Sequence, residues 1–569
     1  MDPEDRTDGA DRGAAASLDR RRFLQGASGA AVALVAAGQP ATALARSLGA
    51  GAHTGEGGRR GKPLTLPEGF DQPVAEGSRP PFCHGVASGD PLADRVVIWT
   101  RLTAPTWSAP HATVQWRVAT DPRMRHVVRR GVVQTAAERD WTVKVDVAGL
   151  RPGRRYHYDF SFAGNRSPVG RTRTAPSLHR EGIGVAVVAC SSYWSGYWNA
   201  YARIAERDDV DLVVHCGDHV YDTVDPGEWV RARKDLFDPE YVDFRDWRGL
   251  DEVRRRYALH YADADLLALH AAHPMTIAWD NHDIDPGGAA TREDAQRAFW
   301  EWTPCRPPVA GTDRGGNLVA RDVTRDHRSF RYGDIDLFVL DVRTRGDDRY
   351  VLGTEQRRWF ESGLERSARG ATPWRLVVNP MPIAPIGLPG SAYGGWTDRP
   401  DDQASMLRFL GERGIDDTIF LAGDAHGAFL ADLAPDPATY DPATGAGSTA
   451  VEILANSVSR GGADEKVAEV MYEGRYGTPP FADRDGLAPL LEQAQPIART
   501  VEQQLLAGNP SLHQANWRDH GYGMVHLTGE AATLEQWFVP HLAPSPDQAL
   551  GARFTVARGA NHAVEAPPG

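Results

Sequence analysis

The sequence predicts a large α/β domain built on a central sheet and preceded by a small all-β domain. The first observation is a series of short, mostly apolar runs from about residue 181 onward, typical of strands buried on both faces. Helical segments separate several of these runs, and one helix is expected over residues 251–270. A sheet covered by helices follows from this alternation. The runs are 185–189, 212–214, 275–278, 337–340, 376–378, 419–422 and 451–454.

The second observation is a different pattern between Phe82 and about Arg173. Apolar residues alternate there in short stretches, which predicts a β-sandwich of roughly 90 residues. A Leu-Arg-Pro-Gly turn at 150–153, followed by alternating tyrosines, is similar to the corner of fibronectin-like domains. The alternating stretches are 114–118, 143–147 and 156–160, and an apolar run at 96–99 follows a Gly-Asp-Pro turn.

The N-terminus has the pattern of an export signal. Arg21-Arg22 is followed by Phe23-Leu24, an apolar stretch over 26–38 and a small-residue Ala-Leu-Ala site at 43–45. This order predicts a Tat signal peptide, hence the Tat machinery as a partner and a secreted product. The alternative is a disordered leader that carries arginines. The apolar stretch is too short for a membrane anchor. The expected division is 1–45 signal, 46–76 flexible linker, 77–178 β-sandwich, 179–545 catalytic domain and 546–569 C-terminal tail.

Composition excludes several classes of function. The 569 residues include 63 Lys and Arg against 76 Asp and Glu, a formal net charge of −13. That balance argues against binding to nucleic acid or to an anionic membrane. A hydrophobic share of 41% with 16 Trp excludes a largely disordered chain. Four cysteines exclude a disulfide scaffold. Cys216 is expected in the core, and pairing of Cys83 with Cys305 is left open.

Residues able to bind a metal or an anion follow most of the predicted strands. Ligands bind at the carboxyl ends of strands in open α/β sheets, so these segments are expected to meet at one edge. One Gly-Asp or Asn-His after a strand is ordinary turn chemistry, but the repeated occurrence predicts a metal site. The segments are 190–192, 217–221, 279–283, 341–343, Asn379 and 423–426.

These segments resemble the motifs of calcineurin-like metallophosphoesterases, through Gly-Asp-x-x-Tyr at 217–221, Asn-His-Asp at 281–283 and Gly-Asp-x-His at 423–426. Their order is similar to that of the alkaline phosphatase D (PhoD-like) family. The resemblance covers roughly residues 80–540. It implies an αββα-type sandwich and a monomeric phosphohydrolase that works at alkaline pH on phosphate monoesters, diesters or both. Further marks are at 82–91, 97–101, 189–191, 279–283, 340–343, 395–398, 509–510 and 520–522.

The resemblance implies a metal pair, with Fe³⁺ and Ca²⁺ as the expected ions. Thiolate and phenolate suit a trivalent transition ion, whereas Asp and Asn oxygens suit hard Ca²⁺. Asp218 would bridge the two ions. The implied iron ligands are Cys190, Asp218, Tyr221 and His426, and the implied calcium ligands are Asn281 and Asp424.

Three further roles follow from the same resemblance. His282 lies where metallophosphoesterases keep an imidazole that protonates the leaving oxygen. Arg343 is a candidate clamp for phosphate oxygens, with a salt bridge to Asp341 as the alternative. Asn379 follows a strand where related enzymes place another metal ligand.

The sequence departs from the family around the calcium ligands. The usual Asp-Asp-His-Glu is Asp-Asn-His-Asp at 280–283, and Asp-Pro-Gly-Gly at 285–288 replaces a pair of asparagines. With one charge fewer at Asn281, weaker Ca²⁺ binding or another divalent ion is expected.

Alternatives remain at the level of function. One is a catalytically decayed cell-surface binding protein, and another is a dedicated phosphodiesterase or phospholipase D-type enzyme. The region 464–506 is expected to be a helical cover over the site. The aromatic residues Tyr193, Trp194, Tyr197 and Trp198 are expected to pack, with lining of the substrate cleft as the alternative.

Overall fold

Two mixed β-sheets form the centre of the structure, which is a computed structural model. It describes residues 73–103, 110–177, 182–221, 249–285, 290–370, 372–387, 395–477 and 484–567. The predicted signal peptide and nearly all of the predicted linker lie outside the described residues. No helix in the described part of the chain is long and apolar enough to cross a bilayer.

Strands dominate the described chain. In chain order they are β1 (Val86–Gly89), β2 (Arg95–Arg101), β3 (His111–Ala119), β4 (Val127–Ala136), β5 (Thr142–Ala148), β6 (Arg155–Phe162), β7 (Asn165–Arg166), β8 (Gly170–Arg173), β9 (Ile183–Val188), β10 (Leu212–His215), β11 (Pro274–Ile277), β12 (Ala310–Thr312), β13 (Leu318–Ala320), β14 (Arg328–Tyr332), β15 (Ile335–Val339), β16 (Trp374–Val378), β17 (Thr418–Ala422), β18 (Ala428–Leu433), β19 (Ala450–Leu454), β20 (Leu512–Asn516), β21 (His520–Leu527), β22 (Ala531–Val539), β23 (Ala549–Ala557) and β24 (Ala563–Glu565).

Helices lie between many of these strands. They are α1 (Asn199–Glu206), α2 (Leu250–His260), α3 (Ala264–Ala272), α4 (Asn281–Ile284), α5 (Arg292–Trp302), α6 (Gly353–Ala368), α7 (Pro400–Arg413), α8 (Ala463–Tyr476) and α9 (Arg484–Gly508).

The first sheet has ten strands in the order β24-β23-β22-β21-β9-β10-β11-β1-β2-β5, and the second has seven in the order β14-β15-β16-β17-β19-β18-β20. The neighbours β9, β10 and β11 are parallel in the first sheet. The run β15-β16-β17-β19 is parallel in the second. Their carboxyl ends therefore present several loops at a common edge of each sheet.

The inner faces of the two sheets share one apolar core. Val185 and Val213 of the first sheet belong to the same buried cluster as Leu337 and Ile453 of the second. Side chains alternate along a strand, so Phe338, next to Leu337, lies on the opposite face. Its ring packs against Phe360 of α6, with centroids 5.6 Å apart. The predicted buried strands are all present, but they are divided between two sheets.

The N-terminal β region does not confirm a separate all-β domain. β1 pairs in parallel with β11, and β2 and β5 continue the ten-stranded sheet outward from β1. β3, β4, β6, β7 and β8 form a smaller, five-stranded sheet. The two layers share a core that includes Ile98 and Val114. The predicted tyrosine corner is present, because Arg151 N donates to the Tyr156 hydroxyl at 2.9 Å.

Two other expectations need correction. Residues 251–270 do not form one helix, because the helix ends at His260 and a second helix begins at Ala264. The Asp263 side chain accepts hydrogen bonds from Asp265 N and Leu266 N and so caps a new helix. Residues 546–569 contain β23 and β24, so this segment is part of the ten-stranded sheet.

The prediction that Cys216 lies in the core is confirmed, and the structure answers the open question of a Cys83–Cys305 disulfide. All four cysteines are free and buried, so Cys83 and Cys305 do not form a disulfide. Cys216 is fully buried in the core. Within the predicted cover at 464–506, the described residues form α8 and α9, which pack on each other through a small apolar cluster.

Candidate metal centre

Loops that follow strands of both sheets meet at one place. Cys190 lies just beyond the end of β9, Asp218 comes shortly after β10, and His426 follows β17. The ligand atoms of these three side chains all lie within 4.8 Å of one another. The Tyr221 hydroxyl donates to Asp218 Oδ2 at 3.0 Å. The structure thus brings together the four residues that the sequence assigns to iron.

The backbone at this cluster is strained. Cys190, Asp218, Asp424 and His426 have positive φ angles of 58°, 54°, 61° and 58°. A left-handed conformation in a residue other than glycine costs of order 1–3 kcal/mol and is concentrated at functional sites. Gly217 (φ 97°) is required for packing, because a Cβ there would lie 2.5 Å from Asp280 Cβ. The sharp bends direct side chains from separate loops into a common space.

The histidine of the cluster has a defined tautomer. His426 Nδ1 lies 3.0 Å from the Gly461 carbonyl oxygen. Since a carbonyl only accepts, Nδ1 carries the proton, and Nε2 is the nitrogen with the lone pair. A backbone carbonyl that orients an imidazole in this way is a common feature of metal-ligating histidines.

The electrostatics of the cluster favour a bound cation. Burial, together with the Asp218 carboxylate, raises the pKa of the Cys190 thiol and of the Tyr221 phenol well above their usual values. A metal ion reverses this effect, because coordination deprotonates a thiol or phenol. Thiolate, phenolate, carboxylate and imidazole form a donor set that fits a trivalent transition ion.

Asp283 fixes the loops that carry the ligands. Its Oδ2 accepts hydrogen bonds from Asp218 N at 2.8 Å and from Asp280 N at 2.9 Å. Its Oδ1 accepts from Val220 N at 3.0 Å. One buried carboxylate therefore ties the loop after β10 to the loop after β11.

We expect Asp283→Asn to weaken metal binding by about 10–100-fold, the range typical of lost partners around a metal site. The amide keeps the size of the side chain but has only one acceptor oxygen for three N–H groups. Competition with a chelator measures the affinity. The control is Asp285→Asn, since Asp285 is exposed and pairs on the surface with Arg292. Equal metal affinity in the two variants would contradict this role.

Arg343 pairs with Asp280 and Asp424 and does not form the alternative salt bridge with Asp341. Its guanidinium binds both oxygens of Asp280, and its Nη2 donates to Asp424 Oδ1 at 2.9 Å. Asp341 instead accepts from the backbone N of Arg343. Although burial opposes the charge, Asp280 and Asp424 hold the pKa of Arg343 well above its usual value. Arg343 is thus a fixed positive charge beside the ligand cluster.

His282, Asn281 and Asn379, the other residues predicted for the site, differ in how closely they contact the ligand cluster. The His282 ring lies against Tyr221, with centroids 4.4 Å apart, and His282 N donates to Asp218 Oδ1. Asn281 is half-buried at the start of α4. The Asn379 amide is bonded locally, since Nδ2 donates to Met381 O at 2.5 Å and Oδ1 accepts from Trp396. Both polar atoms of the Asn379 amide thus have protein partners, and its role as a metal ligand stays a prediction.

Three residues of the site were not assigned from the sequence. Asp280 and Asp283 lie inside the recognised motif at 280–283, but their roles depend on contacts between loops. Arg460 lies over the Tyr221 ring at 5.1 Å, and no motif marks it. The predicted packing of Tyr193, Trp194 and Trp198 is confirmed, because all three are buried and lie against one another or His260.

The two-sheet fold and this ligand cluster define a metallophosphatase. Comparisons with known proteins give the family. A sequence model of the PhoD-like phosphatase matches residues 185–536, and one of the PhoD-like phosphatase N-terminal domain matches residues 69–176. The chain belongs to the PhoD-like phosphatase family, as the motifs predicted, and is a phosphoric ester hydrolase.

Individual relatives agree with this assignment. Alkaline phosphatase D of Bacillus subtilis (strain 168) is 28% identical over 469 residues, which are 74% of this chain and 73% of the relative. A solved structure of PhoD has a TM-score of 0.70 at 25% identity and covers 86% of this chain and 92% of its own. Purple acid phosphatase PPD1 from yellow lupin (Lupinus luteus) shares the fold, with a TM-score of 0.50 at 14% identity. The match covers 83% of this chain and 74% of the lupin protein.

Proposed function

We propose that this chain is an exported phosphohydrolase that requires Fe³⁺ and Ca²⁺ and cleaves phosphate monoesters, diesters or both. The observation that supports it most directly is the cluster of Cys190, Asp218 and His426, with Tyr221 bonded to Asp218. Export rests on the sequence of residues 1–45 alone. Substitution of Arg21 and Arg22 by lysine in the expressed precursor tests that part, with retention in the cytoplasm as the expected result.

The residues divide into two ligand groups. Cys190, Asp218, Tyr221 and His426 would hold iron, with Asp218 shared between the ions. Asn281 and Asp424 would hold the calcium-type ion, which their neutral and charged oxygens suit. Such a metal pair supplies an activated water and stabilises charge on the phosphoryl group.

The protein side chains provide position and protons. His282 lies beside Tyr221 at the edge of the cluster, where its imidazole would donate a proton to the leaving oxygen. Arg343 keeps Asp280 and Asp424 in place. With cations at these carboxylates, the guanidinium would become available to bind non-bridging phosphate oxygens in a bidentate manner.

The activity is tested with p-nitrophenyl phosphate and bis-p-nitrophenyl phosphate as a matched pair of substrates. The metal-loaded mature chain is expected to release p-nitrophenol from at least one of them, with a higher rate at alkaline pH than near pH 5. Turnover of the diester alone would favour the dedicated phosphodiesterase. No turnover of either substrate by an iron-containing chain would favour the decayed binding protein. Size-exclusion chromatography of the same sample tests the expected monomer.

We expect Tyr221→Phe to abolish the visible absorption that a phenolate gives when it is bound to ferric iron. The substitution removes the hydroxyl that contacts Asp218 but keeps the ring that packs on His282. Tyr201→Phe is the control, because Tyr201 is also fully buried and its hydroxyl contacts His215, outside the cluster. An unchanged spectrum in Tyr221→Phe would remove Tyr221 from the ligand set.

A further inference from the structure

Two more groups of metal-ligating side chains occur among the described residues: Glu465 with His520 and His541, and Asp432 with His513 and His562. In the first group, His520 Nε2 contacts the Arg460 carbonyl at 3.0 Å, and His541 Nε2 contacts Glu465 Oε1 at 3.0 Å. His520 Nε2 is therefore directed at a backbone oxygen outside the group, whereas both imidazoles of the second group face its carboxylate.

The second group lies apart from the metal centre. Asp432 is on β18, His513 is on β20, and His562 directly precedes β24. β18 leads away from His426, and six residues of extended chain at about 3.3 Å each put Asp432 up to about 20 Å from it. The group joins the second sheet to the C-terminal hairpin of the first.

The geometry suits a shared cation. Asp432 is fully buried, with Oδ1 3.1 Å from His513 Nε2 and Oδ2 2.5 Å from His562 Nδ1. The three ligand atoms lie within 4.8 Å of one another. His513 Nε2 is buried, and among the described residues it has no hydrogen-bond partner, because its approach to Asp432 lacks the required geometry. A buried imidazole nitrogen in that state is costly unless another group binds it.

The carboxylate is held by further contacts. The Tyr440 hydroxyl donates to Asp432 Oδ2 at 2.9 Å, and Ala563 N donates to Oδ1 at 3.0 Å. Partners of this kind orient a metal-ligating carboxylate. The two imidazoles remain reachable by solvent, since the side chains of His513 and His562 are 15% and 14% exposed.

We propose that Asp432, His513 and His562 form a second metal site, which binds a divalent ion of the Zn²⁺ type and fastens the C-terminal hairpin to the second sheet. Two imidazole nitrogens and one carboxylate oxygen are a zinc ligand set, and a water completes four-coordination. The ligands come from segments that only the folded chain brings together. Zinc bound there stabilises the native state and not the unfolded one.

The test adds Zn²⁺ to the purified, active chain and to the double variant His513→Gln, His562→Gln. We expect one zinc fewer per chain in the double variant, with unchanged iron content and phosphatase activity. The Tm is expected to rise with Zn²⁺ in the wild type and not in the double variant. Equal zinc content, or an equal rise in Tm, overturns the proposal.

Two further variants keep the result unambiguous. His513→Gln alone retains the hydrogen bonds of Asp432 to His562 and Tyr440, so it tests the site if the double variant fails to fold. Its zinc affinity is expected to fall at least about tenfold. His541→Gln is the matched control in the other histidine pair and is expected to keep the full zinc content. Loss of the same zinc in His541→Gln assigns it to that pair and contradicts the proposal.

Discussion

Replacement of Cys190 by alanine is expected to remove iron and activity together. Cys190 supplies the only sulfur in the described ligand cluster, and its thiol lies 4.0 Å from Asp218 Oδ2. Without the thiolate, a trivalent ion loses a strongly donating ligand in a site where two carboxylates, Asp280 and Asp424, are already paired with Arg343. The loss should exceed the 10–100-fold effect of removing an outer partner. Metal analysis and the paired ester assay measure the two effects on the same sample.

The chain provides a matched control in Cys216→Ala. Cys216 is also buried and also follows a strand, β10, but it belongs to the core and not to the ligand cluster. Its truncation leaves a small cavity that costs about 1 kcal/mol of stability and leaves iron in place. Turnover retained by Cys190→Ala, or iron lost equally from both variants, would show that the ligand set is wrong.

The ligand cluster could be predicted because its signals are local. Cys190, Asp218 and His426 each follow an apolar run. Cys190 and Asp218 lie at the edge of the first sheet and His426 at that of the second, so the packing of the two sheets completes the cluster. The roles of Asp283 and Arg343 could not be read in this way. The Asp283 carboxylate binds backbone N–H groups of a neighbouring loop in the same sheet, whereas Arg343 binds a carboxylate that belongs to the other sheet. Neither contact follows from spacing along the chain.

The pairing of the strands likewise could not be predicted from local patterns in the sequence. Apolar runs predict a buried strand, but they do not identify the neighbour to which it bonds. Val143, Val145 and Val147 alternate with polar residues as in a sandwich strand. Nevertheless β2 and β5 extend the ten-stranded sheet through β1. The break at Asp263 was missed for a different reason: the apolar periodicity continues across it, and only the capping side chain marks the new helix.

A cluster of buried histidines behind the metal centre is expected to make the protein unstable in acid. His215, His219 and His270 are almost fully buried, and their rings lie in succession, with centroids 4.8 Å and 5.9 Å apart. Burial lowers the pKa of all three, to about 3 for His219. Above pH 6.5 they are neutral in both states and contribute nothing. Below it, the unfolded chain takes up protons that the native chain cannot bind, so stability falls as pH falls.

The size of this loss of stability follows from the difference in proton binding between the unfolded and the native chain. Each histidine contributes a slope of about 1.4 kcal/mol per pH unit between its unfolded and native pKa values, and three give about 4 kcal/mol per pH unit. A net stability of roughly 5–15 kcal/mol is then exhausted within a few pH units below 6.5. The fold is therefore expected to lose stability as the pH falls below 6.5, whatever the protonation state of the residues at the metal centre.

His270→Leu isolates the contribution of one ring. Both His270 nitrogens are buried without a hydrogen-bond partner among the described residues, so leucine removes a titrating group and leaves no new unsatisfied neighbour. We expect denaturant unfolding of the variant to show a slope that is shallower by about 1.4 kcal/mol per pH unit between pH 6 and 4. His126→Gln is the control, since His126 lies on the surface with a side chain 78% exposed, and its slope should match the wild type. Equal slopes for His270→Leu and the wild type over this range would show that His270 does not contribute to the acid sensitivity.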